Sequence, residues 1–434
     1  MLLSLPPSGA RRAVFFFNMF AVSASIFYLL AILSAAHPAP REPPAQIVVV
    51  DHDHDTKEKT ISGLADFALQ KVLHEAKPIF GHYKTVQSNT STWMEAYPDD
   101  TQLVHMNIPG THDTATWNYS LATQEYLDHV TSLVEDTNFP PDWFRCQDKP
   151  IIDMLNDGIR AFDLRYAYDV TNSTLVFWHG MSLQSQTATV EDVLFGFYHW
   201  LDDHPSETVF LSFQHEGSST RYASNDAGVQ QLLFEALTTP AARSYIQQSN
   251  TLSTLGSARG KIVLLRRFDL DKLPSTYTAM LPGLHFSPND WTPNGANITL
   301  TYDEISQGTA HIEDYFFPLT PRNSTAKENI AVKFGATHEM LRYAASPAHP
   351  DDLFWSFASS TNNMNTPSDT PRIQALGNGT LLTPKGGVNQ QLVNVLKELK
   401  GKRLGIVMFD FYEQPGALLE EFLAVLPPPG GIEQ

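Results

Sequence analysis

Two histidines flank an aspartate/arginine pair, and each of the four stands at or near the end of a strand-like run. His112 lies in Ile108-Pro-Gly-Thr-His-Asp113, and Asp163 and Arg165 lie in Gly158-Ile-Arg-Ala-Phe-Asp-Leu-Arg165. His179 closes Val176-Phe-Trp-His179 and is followed by Gly180. One imidazole can take a proton and the other can give one, while a guanidinium between them holds an anion. That set of groups suits cleavage of a phosphodiester without a metal.

Other readings of the same residues stand beside this one. A single loop histidine is usually satisfied by a neighbour, and Gly180 also allows a tight turn. Asp163 and Arg165 are two apart on a strand and so share a face. They would line an inner wall near its mouth, where an arginine needs an anionic partner, or they form a mutual structural ion pair. A phosphate would serve as that partner, because a guanidinium grips it through a planar fork. Arg160 faces the other way and reads as structural. Asp410 ends Leu404-Gly-Ile-Val-Met-Phe409. In a closed barrel the last strand lies beside the first, so Asp410 would reach His112 and fix its tautomer.

The elements that must position these groups alternate. Strand-like runs occur at Gln102–Ile108, Ala161–Arg165, Leu175–Trp178, Thr208–Phe213, Lys261–Arg266 and Arg403–Phe409. Amphipathic stretches lie between them, including Val190–Asp202, Gly228–Leu237 and Gln390–Leu399. Strands alternating with helices predict an α/β fold with a parallel sheet. Several runs end in polar residues, among them Gln214 with Glu216, and Arg267. The C-terminal face of a (β/α)8 barrel gathers such residues. An open doubly wound sheet would do so too, but no Gly-rich phosphate loop opens a helix after an early strand. The Pro-Gly pair before His112 predicts a turn that presents it at the strand's end.

Composition narrows the functional classes. The formal net charge of −18 argues against nucleic acid as a partner and against general adhesion to anionic membranes. Cys146 is the single cysteine, which excludes an intrachain disulfide and reads as a buried free thiol. Arg11-Arg12 precede a largely apolar run from Ala13 to Ala36 that ends in Ser34-Ala-Ala36. Residues 1–36 therefore read as a secretory signal peptide or a retained signal anchor. Six N-x-S/T sequons, at Asn89, Asn118, Asn172, Asn297, Asn323 and Asn378, fit a glycosylated, secreted or lumenal protein. Residues 37–80 read as a linker or N-terminal extension, and 81–434 as one catalytic barrel. Within the extension, Asp51-His-Asp-His-Asp55 reads as a solvated charged tether, with metal binding as the alternative.

The motifs together resemble the X-type catalytic domain of phosphatidylinositol-specific phospholipase C. The resemblance runs in order through Ile108–Asp113, Gly158–Arg165, His179-Gly180, Pro205-Ser-Glu-Thr208, Ala258–Arg267 and Val407–Asp410. It implies a distorted (β/α)8 barrel that cleaves phosphatidylinositol-type lipids to diacylglycerol and inositol 1,2-cyclic phosphate. It implies His112 as the base on the inositol 2-hydroxyl and Asp410 as its partner. His179 is then the acid assisted by Asp113, Arg165 the cation on the phosphoryl oxygens, and Asp163 its ordering neighbour. Arg165 stands where the calcium-dependent branch has an acidic ligand, and an arginine cannot ligate calcium. The metal-free branch, with no cofactor, is implied. For the headgroup, Arg267 and Asp314 match inositol-binding positions. Phe316 falls where a stacking tyrosine is expected, and Gln214 replaces a lysine. Surface exposure of Asp314 and core packing of Phe316 are the competing readings. The expected partner is a phosphoinositide or related glycolipid at a membrane surface, met by a monomer. A glycosylphosphatidylinositol anchor as substrate, or an inactive lipid- or glycan-binding barrel, remain the alternatives.

Overall fold

The computed structural model describes residues 54–134, 139–216, 221–362, 369–378 and 386–428. The chain divides into two compact units, 1–57 and 58–434, and the sheet lies wholly in the second. The apolar run, the Pro-rich stretch and most of the Asp/His repeat lie outside the described residues. Among the described residues no helix is long and apolar enough to cross a membrane. Residues His54–Phe80 form a helix whose last turns bury Ala76, Ile79 and Phe80, so the expected extension ends packed on the core.

Eleven strands occur among the described residues: β1 Ile108–Thr111, β2 Ala161–Tyr168, β3 Leu175–His179, β4 Ser182–Leu183, β5 Thr208–His215, β6 Lys261–Arg267, β7 Leu284–His285, β8 Ile298–Asp303, β9 Gly308–Glu313, β10 Leu353–Phe357 and β11 Ile406–Phe409. The sheet order is β7-β6-β5-β2-β1-β11-β10-β9-β8. Every neighbouring pair from β7 to β9 along this path is parallel, giving eight parallel strands. The first and last of them, β1 and β11, lie side by side, with Thr111 opposite Phe409. The wall is nearly closed. Its seam falls between β7 and β9, where the antiparallel β8 takes the place of a crossover helix.

The central strands carry Val, Ile, Leu and Phe on both faces because both faces are covered. Ala161, Phe210, Val263 and Ile406 fill the interior. Phe162, Leu211, Leu264 and Val407 face the surrounding helices. Each Val, Ile, Leu or Phe among them, fully buried, contributes about 1.5–3 kcal/mol. One covering helix, Val190–Asp203, starts at a reciprocal Thr189/Asp192 cap. It buries Val193, Leu194, Phe197 and Leu201 on one stripe.

Three sequence expectations are corrected. The run Gln102–Ile108 is not a strand: Leu103–His105 form a single 3-10 turn and the strand starts at Ile108. Pro109 and Gly110 sit within β1 rather than in a turn after it. Gly110 is needed there because a Cβ would lie 2.9 Å from the Ala161 Cβ and would strike the Met408 sulfur. The turn comes later, at Asp113, whose φ of 41° is left-handed. The third correction concerns Leu175–Trp178, which belongs to no parallel wall strand. β3 returns antiparallel along β2, with Tyr166 opposite Phe177, and this return brings His179 back to the mouth.

Candidate active site

Register places the polar groups in rows. Arg165, Gln214 and Arg267 are direct neighbours across β2, β5 and β6. Asp163 lies one inward step below Arg165, opposite Ser212. His112 and Asp410 each follow the last residue of adjacent strands, and the His112 N–H donates to the Phe409 carbonyl. Asp113 and Phe411, the next residue in each case, both adopt positive φ, 41° and 47°. For residues other than glycine such turns cost of order 1–3 kcal/mol and cluster at functional sites. At Asp113 the turn lets the backbone N–H donate to Asp163 Oδ2 at 3.2 Å.

The hydrogen bonds decide where the ring protons are. His112 Nδ1 is 2.9 Å from Asp410 Oδ1, and Arg165 Nη2 is 2.9 Å from His112 Nε2. A guanidinium only donates. His112 Nε2 is therefore the bare nitrogen, and Nδ1–H donates to Asp410. At His179, Nδ1 is 2.9 Å from the Phe144 carbonyl, which only accepts. His179 Nε2 is then the other bare nitrogen when the ring is neutral. Both Nε2 atoms lie 3.1 Å from the same oxygen, Asp113 Oδ2. Neither approach is an aligned hydrogen bond, so Asp113 Oδ2 keeps capacity for a proton between the two rings. The side chains of His112 and His179 are 11% and 18% exposed, so both open on the mouth rather than the core.

The electrostatics follow from burial. Burial, then the charge of Arg165, holds His112 well below its ordinary value, and the same two causes lower His179. Burial pushes Asp113 up to about 7, against the pull of Arg165 and with the push of Asp163. Burial, then Asp113, raises Asp410. Burial opposes the charge of Arg165, but Asp113, Asp163 and Glu216 outweigh it and raise this group well above its ordinary value. Its Nε lies 3.0 Å from Asp113 Oδ1 and 3.2 Å from Asp163 Oδ2. A protonated Asp113 between two neutral imidazoles is the arrangement that burial and the neighbouring charges favour.

Beyond the row of arginines a cavity of about 520 Å³ opens, lined by Gln214, Arg267, Asp314 and Phe316. It adjoins the histidines without including them and runs on past Asp269, Asp271 and Asn225. Asp314 is no surface acid: it is buried and accepts from Arg267 Nη2 at 3.2 Å and from Trp291 Nε1 at 2.7 Å. The Arg267 guanidinium stacks 3.8 Å from the Trp291 ring centre. Phe316 is not core: 41% of it is exposed, on the cavity's edge.

Several site residues escaped the sequence reading. Trp291, Phe144 and Gln147 carry no motif signal; Gln147 Nε2 donates at 2.8 Å to the carbonyls of both His112 and Phe409. Glu216, at a strand end, had only a positional signal, yet its Oε2 lies 3.7 Å from Arg165 Nη1. The fully buried Lys333–Glu313 pair, 2.6 Å apart, sits behind Asp314. Cys146 is buried beneath the histidines, and burial pushes its thiol well up, so it is no nucleophile.

A divalent ion fits this cluster poorly. His112, Asp113 and Asp163 bring ligand atoms within 4.8 Å of one another, but both carboxylates are already bound by the Arg165 guanidinium. An ion placed among them would meet a fixed positive charge.

Known proteins share this architecture. The family described as phosphatidylinositol-specific phospholipase C, X domain, matches residues 126–268. Residues 126–268 are thus similar to the X domain of phosphatidylinositol-specific phospholipase C. The match spans Arg165, His179, Gln214 and Arg267, while His112 and Asp410 lie outside it. A 1-phosphatidylinositol phosphodiesterase of Listeria monocytogenes is 29% identical over 264 residues, 56% of this chain and 74% of that one. The human PI-PLC X domain-containing protein 1 is 33% identical over 133 residues, 28% of this chain and 40% of its own. Among solved structures, a phosphatidylinositol-specific phospholipase C from Staphylococcus aureus superposes with a TM-score of 0.59 at 19% identity. That likeness covers 78% of this chain and 97% of the other. The X domain is thus set in the distorted barrel fold of those enzymes.

Proposed function

We propose that this X-domain barrel cleaves phosphatidylinositol-type lipids by intramolecular phosphoryl transfer, releasing diacylglycerol and inositol 1,2-cyclic phosphate. The observation that carries the reading is the convergence of two bare Nε2 atoms on one protonatable carboxylate beside a guanidinium. The shared name of the bacterial relatives, 1-phosphatidylinositol phosphodiesterase, supports the substrate.

In this mechanism the inositol 2-hydroxyl displaces Arg165 from His112 Nε2 and loses its proton there. Asp410 steadies the imidazolium through Nδ1–H. The 2-oxygen bonds to phosphorus, and the bond from phosphorus to the diacylglycerol oxygen breaks. Arg165 neutralises the phosphoryl oxygens, with Asp163 holding it in place. His179 protonates the leaving oxygen with the proton that Asp113 supplies. Afterwards His112 carries one proton too many and Asp113 one too few, and the 3.1 Å approach between them closes the cycle. Arg267 and Asp314 would bind ring hydroxyls, with Phe316 offering a face to the ring. Because Arg165 provides the cationic charge, the reaction needs no resident metal.

Exposed apolar side chains lie on the connections that leave strand C-termini. Leu121 and Tyr126 follow β1, and Phe316 and Leu319 follow β9. They suit contact with a lipid surface. The N-terminal basic–apolar pattern supports entry into the secretory route. All six sequon asparagines are exposed, as glycan acceptors must be. The decisive experiment is a lipid panel followed by phosphorus NMR. A cyclic phosphate signal from phosphatidylinositol is expected; a phosphomonoester appearing first would overturn the mechanism.

A second substrate is favoured by one feature. The cavity continues from Arg267 and Asp314 to Asp269 and Asp271, carboxylates that would receive an amino sugar. A glycosylphosphatidylinositol, with its sugar on the inositol ring, would fill it. The same panel tests this by comparing the two lipids.

A further inference from the structure

A second cluster of ligand-type side chains lies away from the catalytic mouth. His311 is on the outward face of β9, opposite Phe354 of β10. Asp352 immediately precedes β10, at the opposite end of the strands from the catalytic groups. His349 lies in the connection that follows the helix Ala326–Ala344. Both rings turn a nitrogen to one oxygen: His311 Nε2 is 2.9 Å, and His349 Nδ1 2.7 Å, from Asp352 Oδ2. The three ligand atoms lie within 4.8 Å of one another.

We propose that His311, His349 and Asp352 form a structural site for a divalent transition metal of the zinc class, with water as the fourth ligand. Two imidazoles and one carboxylate are a set that suits zinc and not calcium, which prefers oxygen. Around tetrahedral zinc, ligand atoms stand roughly 3.4 Å apart, so the two contacts need open only by about 0.5 and 0.7 Å. The far nitrogens are already held. Thr299 Oγ1 lies 3.2 Å from His311 Nδ1, and Tyr343 Oη 2.8 Å from His349 Nε2. Each oxygen can accept the N–H that a metal-bound imidazole must carry there, the outer-sphere support that fixes metal-binding rings. Arg403 secures the loop by donating to the carbonyls of His349 and Asp352 at 2.6 and 3.0 Å. The His311 side chain is 5% exposed, while Asp352 and His349 are 26% and 35% exposed, which leaves an open side for entry and for water. The bound ion staples the connection between residues 345 and 352 to the barrel wall, far from the reacting atoms.

The test uses the full, tag-free chain after chelator treatment, with Co²⁺ as the spectroscopic probe and Zn²⁺ as competitor. One equivalent of Co²⁺ is expected, with the visible bands of a tetrahedral site, displaced by Zn²⁺. Zn²⁺ should raise the melting temperature by several degrees. His349→Gln and Asp352→Asn should weaken uptake at least tenfold and abolish the thermal shift, while lipid cleavage persists. His349 is a partly exposed loop residue, so its variant keeps the fold. No uptake at millimolar Co²⁺ overturns the proposal. Uptake unchanged in His349→Gln overturns it too, as does uptake lost in His112→Asn, which would place the ion in the catalytic cluster.

Discussion

Two arginines five residues apart behave in opposite ways. Arg160, just before β2, is fully buried, and all five of its N–H groups are used. They reach Glu207 at 2.7 and 3.0 Å and the carbonyls of Leu155, Ile159 and Ser91 at 2.8 Å. Arg165, at the mouth of the same strand, is surrounded by Asp113, Asp163 and Glu216 but saturates none of them. Asp163 Oδ1, Glu216 Oε2 and Arg267 Nη1 are buried beside it without a hydrogen-bond partner. A saturated buried charge is part of the frame. An incompletely paired one, open to a mouth, has capacity left for a ligand.

The sharpest test exchanges the two consequences. Arg165→Met should cut turnover about a thousandfold, the scale of losing a donor to developing negative charge, in protein that still folds. Arg160→Met should instead strand Glu207 and cost about 3–5 kcal/mol of stability, read by chemical denaturation. Equal effects of the two substitutions on turnover and on stability would erase the distinction. His112→Ala and His179→Ala come next, each lowering turnover about a hundredfold or more. Near-normal cleavage of phosphatidylinositol by either variant would remove that histidine from the mechanism.

The pH dependence follows from the base and the acid together. The base must be bare, and the lowered His112 stays bare well into acid. The acid must hold its proton, and Asp113 near 7 releases it as pH rises. The rate should therefore hold in mild acid and fall above about pH 7, by about tenfold per unit, that limb belonging to the cluster as a whole. A profile flat to strongly alkaline pH would contradict the assignment. Gln214→Lys would place a third cation in the row between Arg165 and Arg267. A fall in KM of roughly fivefold, worth about 1 kcal/mol, is expected, with a slightly lower melting temperature. The smallest effect is on the chelator side. Excess EGTA should leave initial rates at room temperature unchanged, and a loss restored by calcium would reverse the reading of Arg165.

Much of this was legible in the chain. The runs at Ala161, Thr208 and Lys261 are dense in β-branched and aromatic residues, and each is a parallel strand. The pairing of the first and last parallel strands, which puts Asp410 beside His112, follows from barrel topology. What misled was local chemistry overridden by neighbours. Pro109-Gly110 looks like a turn but is a strand, since only a bare backbone fits against Ala161 and Met408. Leu175–Trp178 has strand composition, and composition does not reveal direction, so the hairpin that delivers His179 was invisible. Trp291, Gln147 and Phe144 act through a ring face, an amide and a carbonyl, which no spacing rule marks.

The seam in the barrel wall has a consequence for how such an enzyme can change. The connection from β7 to β8 supplies Phe286, Asn289 and Trp291 to the cavity, and it is fastened by Gly295 and Asn294 to the exit of β9. Among the described residues it crosses the one place where no ladder joins consecutive parallel strands. Insertions there could resize the cavity without shifting the register that holds His112, Asp410 and Arg165. Selectivity and reactivity are thus written on separate pages of the fold, and one can be revised while the other is kept.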